Sequence, residues 1–158
     1  MNYNFIFFAI IPFILMLIIS VGMPFYKLHL LKTAGEKVLS LVKKRNIITY
    51  GAAVTSYALL ILSVVVDFGR FNFVFPYCAV LALYITTREG TLKPINGVYK
   101  NLMIVGTEVV RFDDIESIAP QDPNQPDYVM TIVTKRRGRR TLTFDNSNEL
   151  KEVEKIIS

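Results

Sequence analysis

The sequence predicts an α-helical membrane protein with three transmembrane helices. A small cytoplasmic α+β domain follows, an antiparallel sheet of four or five strands closed by a C-terminal helix. Two apolar runs, Ile47 to Val66 and Phe71 to Ile85, contain no Asp, Glu, Lys or Arg and are joined by the tight link Asp67-Phe68-Gly69-Arg70. About 20 residues at ~1.5 Å rise cross a hydrocarbon core of roughly 30 Å, so this pair reads as a transmembrane hairpin. A third apolar run, Phe5 to Met23, opens the chain. Past Arg88 the apolar blocks give way to short alternating segments broken by turn residues. With 52% hydrophobic residues gathered in blocks, the chain belongs with integral membrane proteins rather than with proteins that bury one large core.

The first run is preceded by Met-Asn-Tyr-Asn, without a basic residue, and is followed by Pro24 and a lysine-bearing segment. A cleavable signal has its positive charge in front, so residues 5–23 are expected to stay as a span, mildly kinked at Pro12. Residues 24–46 carry Lys27, Lys32, Lys37, Lys43, Lys44 and Arg45 against Glu36 alone. Short loops rich in Lys and Arg stay in the cytoplasm, which puts the amino terminus outside and, after three spans, the carboxyl terminus inside. Leu28, Leu31, Val38, Leu39 and Val42 recur near helical spacing, so this loop reads either as a solvated positive-inside loop or, in part, as a basic amphipathic helix on the inner leaflet.

The second span, 47–66, offers a narrow face of small residues, Gly51, Thr55 and Ala58 with Ala52 and Ser56 beside them, which Ala79 and Ala82 of the third span, 71–86, could meet. Cys78, the single cysteine, reads as a small buried apolar residue. No Asp, Glu, Lys, Arg or His lies inside any span, and such groups mark ion paths and proton relays, which argues against a transporter or channel acting alone.

The transmembrane region thus covers 1–87, residues 90–97 read as a linker with turn chemistry, and the cytoplasmic domain covers 97–158. Val98 to Val105 and Glu108 to Phe112 read as strands with Gly106-Thr107 as the turn between them. The segment 113–118 continues or bends the second strand, with Ile115 and Ile118 toward the core. Three prolines keep 120–127 out of a central strand. Tyr128 to Lys135 alternates as a half-buried strand, Thr141 to Phe144 answers it with Leu142 and Phe144 inward, and Asn146 with Glu149 starts a helix whose apolar stripe is Leu150, Val153, Ile156 and Ile157.

The order of strand pair, Phe112-Asp113-Asp114-Ile115-Glu116-Ser117-Ile118, further strands and terminal helix resembles small bacterial domains related to the pleckstrin-homology (PH) fold, often attached to membrane helices. Nearly the whole chain, with its basic first loop, the Asp-Ile-Glu-Ser-Ile element and the ending Asn-Glu-Leu-Lys-Glu-Val-Glu-Lys-Ile-Ile, is similar to the YobD-type family of small uncharacterised bacterial membrane proteins. The resemblance implies a PH-like fold and a place in the bacterial inner membrane. It carries over no activity and no catalytic residues.

The sharpest chemical feature is Lys135-Arg136-Arg137-Gly138-Arg139-Arg140 between two strands. Cations crowded at a hairpin tip repel one another and are comfortable against anions, so Lys135, Arg136, Arg137, Arg139 and Arg140, with Lys43, Lys44 and Arg45 of the first loop, are the candidate residues for contact with anionic lipid or a membrane-protein partner. The plain alternative is a solvated turn that only reinforces orientation. No aromatic residue interleaves with the arginines, which argues against nucleic acid. An acidic set, Asp113, Asp114, Glu116, Asp122 and Asp127, is expected at the opposite pole of a domain that is close to neutral, with nine Lys or Arg and ten Asp or Glu between Gly97 and Ser158. Its spacing is not that of a calcium loop, and no zinc set, Gly-rich phosphate loop or nucleophile near the only histidine, His29, is present, so neither metal nor cofactor nor catalysis is expected. The reading that results is a non-enzymatic accessory or regulatory protein of the inner membrane. The alternative is an immunity-type protective membrane protein binding a toxin or peptide at its outer surface, although only residues 1–4 and 67–72 would be exposed there.

Overall fold

A computed structural model describes residues 9–41, 47–66, 73–120 and 125–157. In chain order the elements are helix α1 (Ile11–Ala34), strand β1 (Lys37–Ser40), helices α2 (Ile47–Val65) and α3 (Val74–Leu92), strands β2 (Gly97–Tyr99), β3 (Leu102–Val105), β4 (Glu108–Arg111), β5 (Ile115–Ile118), β6 (Val129–Thr134) and β7 (Gly138–Thr143), and helix α4 (Ser147–Ile157). They divide into two compact units, one from Met1–Leu28 and Arg45–Thr91, the other from His29–Lys44 and Leu92–Ser158.

The helical unit packs around Met16, Leu60, Ala79 and Leu83, with Ala53, Tyr57 and Val80 against them. The Tyr57 hydroxyl and the Ser20 hydroxyl lie 2.6 Å apart, a polar contact between α1 and α2 inside an apolar bundle. Ser56, Ser63 and Thr86 bond back to carbonyls three or four residues earlier, so their hydroxyls need no other partner. Outward, Phe13, Ile14, Leu17, Ile18, Val54, Ile61 and Leu81 are exposed, far more apolar surface than water tolerates. By length and composition, one helix among the described residues, Ile11–Ala34, can cross a membrane, with a mean hydropathy of 1.9; Thr49–Val65 is a shorter apolar helix, and α3 carries Arg88 and Glu89 before its end. Three spans were expected, and one stands by this measure.

Several expectations for this unit are corrected. The first helix does not end at Met23. Pro24 lies inside it, and the helix runs on to Ala34, where Gly35 at φ +79° supplies the left-handed cap that the chain lacks earlier. Pro12 follows a π-helical stretch at Ala9 and Ile10 that runs directly into α1. Of the small residues on α2, Gly51, Thr55 and Ala58 point outward while Ser56 is buried; Ala79 of α3 is buried as expected, against Leu60 with Ala53 and Tyr57 beside it. Cys78 is exposed rather than buried. The link 67–70 lies outside the described residues.

The second unit is built from two antiparallel sheets, β1-β2-β3-β4 and β5-β6-β7, with six strands in the described part of 97–158, where four or five were expected, and a seventh, β1, from earlier in the chain. The stretch 98–105 breaks at Lys100-Asn101 into two strands, and the predicted linker is the end of α3 and a 3-10 turn, Lys93–Ile95. The segment 24–46 supplies β1, which pairs with β2 through Leu39 and Val98 and through Ser40 and Gly97. The unit therefore begins at His29, well before the expected boundary at 97, and its first strand is separated from its second by α2 and α3.

Strand β3 is buried along its whole length, because alternate side chains serve two cores. Met103 and Val105 join Leu41, Val98, Val110, Met130, Ile132, Leu142, Phe144, Leu150 and Val153 between the two sheets and under α4. Leu102 and Ile104 face the other way and meet Leu30, Ala34, Leu92, Ile95 and Tyr99. The end of α1 thus lies against the outer face of the first sheet. The β2–β3 turn caps it: Asn101 donates from its backbone N–H to the Ala34 carbonyl at 3.0 Å and from its side-chain amide to the Thr33 carbonyl at 3.0 Å. Asn96 is fully buried, and with its amide turned to satisfy donor and acceptor it donates to the Gly106 and Leu92 carbonyls and accepts from the Gly106 N–H, fixing the β3–β4 turn. Helix α4 starts as expected: Asn146 accepts the Glu149 N–H at 2.8 Å, and the Glu149 carboxylate reaches the Asp145 N–H. Leu150 and Val153 are buried, whereas Ile156 and Ile118 stay largely exposed, Ile118 because it ends a strand at the sheet edge.

Candidate functional site: the basic turn between β6 and β7

Strands β6 and β7 pair in unbroken register from Val129 with Thr143 to Thr134 with Gly138, which puts residues 135–137 in a tight turn. Gly138 has φ +68°, a conformation that a side chain disfavours. The turn is clamped from within by Thr134, 5% exposed, whose hydroxyl donates to the Gly138 carbonyl at 3.0 Å and accepts the Arg137 N–H at 3.3 Å. Sequence reasoning had Thr134 as an ordinary strand residue; a hydroxyl one place before a basic turn was the signal.

The five cations are not equivalent. The Lys135 ammonium donates to the Asp113 carbonyl at 3.0 Å, and the Lys135 N–H donates to the Asp114 carbonyl at 2.9 Å. Arg136 lies 3.9 Å from the Asp114 carboxylate, but its side chain is 84% exposed, so the pair contributes little. Arg140 shares the inward face of β7 with Leu142 and donates to the Glu108 carboxylate at 2.6 Å, at the start of β4 in the facing sheet. Both side chains are about two-thirds buried, 28% and 30% exposed, and they close one end of the space between the sheets. Arg137 and Arg139 are exposed and have no carboxylate partner among the described residues. Of the five cations expected at the tip, Arg140 is thus paired inward with Glu108, Lys135 is tethered by a carbonyl but keeps its charge, and Arg137 and Arg139 stand exposed. Lys43, Lys44 and Arg45 lie outside the described residues.

Two members of the acidic set are not at the opposite pole. Asp113 and Asp114 occupy the 3-10 turn Phe112–Asp114 that leads into β5, and with Arg111, Lys135 and Arg136 they line a concavity of about 120 Å³. Antiparallel pairing of β5 with β6 forces this, since the start of β5 must lie beside the end of β6. Glu116 lies on β5, Asp127 precedes β6 at the end of the hairpin away from the turn, and Asp122 is outside the described residues.

Away from the turn, the Lys37 ammonium sits 5.6 Å from the centre of the Tyr99 ring, a cation–π contact between β1 and β2. Burial lowers the Lys37 pKa below the usual lysine range and raises the Tyr99 phenol, which donates to the Ile95 carbonyl at 2.7 Å. His29 is exposed. Among the described residues no three His, Cys, Asp or Glu side chains gather in a way that could hold a metal ion. Comparison with protein-family models, with curated proteins and with solved structures finds no match to this chain.

Proposed function

We propose that the protein is a non-enzymatic, three-span protein of the bacterial inner membrane, amino terminus outside, whose cytoplasmic α+β domain rests its β6–β7 turn on anionic lipid in an accessory or regulatory role. The observation that carries the reading is the pair Arg137 and Arg139, exposed at a rigid turn without an acidic partner among the described residues. Each such cation near an anionic leaflet contributes on the order of 1 kcal/mol. The three-span arrangement is supported by the charge-free runs Ile47 to Val66 and Phe71 to Ile85, by the apolar surface of the helical unit, and by six basic residues in 24–46 against none before Phe5. Membership of the YobD-type family and a PH-like domain belong to the same proposal, the second supported by two antiparallel sheets closed by a C-terminal helix.

The test uses the full chain in lipid discs, because a fragment starting at Gly97 would lack β1. A fluorophore is placed at Thr141→Cys, exposed on β7, in a Cys78→Ala background. Lipids with a quencher on the headgroup should dim it in anionic discs and not in neutral ones, and added salt or the double change Arg137→Gln and Arg139→Gln should restore the signal. Equal quenching in both kinds of disc, or in the double variant, overturns the lipid reading. A reporter active only outside the cytoplasm, fused after Ser158, tests the topology: it should stay silent.

A further inference from the structure

A second polar feature of the same unit is carved between the end of α1 and the β2–β3 turn: a groove of about 380 Å³ lined by Thr33, Lys100, Asn101, Arg111 and Asp113, with Leu102 and Phe112 contributing apolar surface. Its walls are held by backbone bonds. Asn101 is bonded to Thr33 and Ala34 on one side, and its carbonyl accepts the Phe112 N–H at 3.1 Å on the other. Arg111 pairs with Leu102 across β3 and β4, so it stands on the outer sheet face, at the groove. Lys100 and Arg111 are both exposed, and among the described residues neither side chain has a carboxylate partner. The Asp113 carboxylate in the same groove is likewise unpaired there, because Lys135 uses only its backbone carbonyl.

Two unopposed cations and one carboxylate give the groove a formal charge of +1, which matches a monoanion. A phosphodiester on Lys100 and Arg111 supplies that charge, and Asp113 accepts hydrogen bonds from the alcohol that the phosphate carries. A phosphoethanolamine or phosphocholine headgroup has no net charge and leaves the groove uncompensated. We infer that the groove bounded by Lys100, Arg111 and Asp113 binds the phosphoglycerol headgroup of an anionic lipid, with Arg111 as the principal phosphate ligand. The helix that brings Thr33 to the groove is the apolar helix Ile11–Ala34 itself, so the headgroup source is the bilayer in which that helix stands. This inference rests on the membrane reading above, but on different residues from the turn.

The experiment titrates the detergent-solubilised full chain with short-chain phosphatidylglycerol and reads bound lipid by native mass spectrometry. One lipid per chain is expected, with at least tenfold weaker binding after Lys100→Gln and Arg111→Gln. Both side chains are exposed, so the unfolding transition should be unchanged in that variant. The turn variant Arg137→Gln with Arg139→Gln should bind as the parent does, which separates failure of the groove from failure of the turn. Equal binding of short-chain phosphatidylcholine, or unchanged binding by the groove variant, overturns the inference. Displacement by glycerol 3-phosphate at the lipid's own concentration would assign the groove to a soluble phosphate ester and overturn the lipid assignment.

Discussion

Gly97 lies so close beneath Leu39 that a Cβ built on it would come within 2.4 Å of the Leu39 carbonyl oxygen, and equally close to the Lys37 side chain. Glycine is required there because β1 crosses over it, and the neighbouring atom is backbone that cannot swing aside. Gly97→Ala should therefore strip β1 from the sheet and sharply increase protease cleavage within 35–41. Gly106→Ala, at φ +65° in open space, should cost only about 1–2 kcal/mol of turn strain. Equal cleavage in the two variants would mean that β1 is not held by this approach.

Arg140 and Glu108 should be energetically coupled. Each is partly exposed, so the pair is worth about 0.5–1 kcal/mol in a double-mutant cycle of Arg140→Gln and Glu108→Gln, read by pulse proteolysis. Additive losses would show that water already separates the two groups.

Phe144 is 3% exposed in the core between the sheets, and Phe144→Ala should cost about 3–5 kcal/mol, much of the stability that a unit of this size has. Thr143→Ala, on the exposed face of β7, should cost under about 1 kcal/mol. Similar loss of protease resistance in both would put the register of β7 in error.

Tyr99 gives the second unit an alkaline limit. Burial raises its pKa above 10.0, so the folded chain keeps a proton that the unfolded chain gives up. Its contribution is complete below pH 10 and is lost as pH rises through the folded value. Lys37 acts in the opposite sense, its penalty easing as pH climbs toward 10.5. Tyr99→Phe forfeits the bond to Ile95, about 1 kcal/mol at neutral pH, and should flatten the fall in stability above pH 10. A melting curve whose alkaline limb is unchanged in Tyr99→Phe would assign that limb to other groups.

Local signals in the sequence were reliable where one residue type decides a conformation. Gly106 and Gly138 mark turns at positive φ, Asn146 with Glu149 caps α4, and the alternation of Met130, Ile132 and Leu142 sets the inward face. What escaped was decided by partners distant in the chain. Lys37–Ser40 has no strand signal of its own and becomes one only because Val98 and Gly97 offer an edge 56 or more residues later. The run 98–105 hides a turn because Lys100 and Asn101 bend to cap α1, a demand that no local pattern contains. The basic turn was found by composition alone, but the tethering of Lys135 to the Asp113 carbonyl and the pairing of Arg136 and Arg140 with Asp114 and Glu108 depend on sheet register.

Because β1 and β2 are separated by residues 41–96, the first sheet cannot close while the chain is being made until both intervening helices have left the ribosome. At ~5–20 residues per second those 56 residues take about 3–11 s, and throughout that time β1 is an open strand edge in search of a partner. Its brevity and the charge on Lys37 discourage wrong pairing in the meantime. Maturation of the second unit is thereby made conditional on synthesis of α2 and α3: a chain truncated or stalled before Gly97 has no second strand, and quality control has an unpaired edge to recognise.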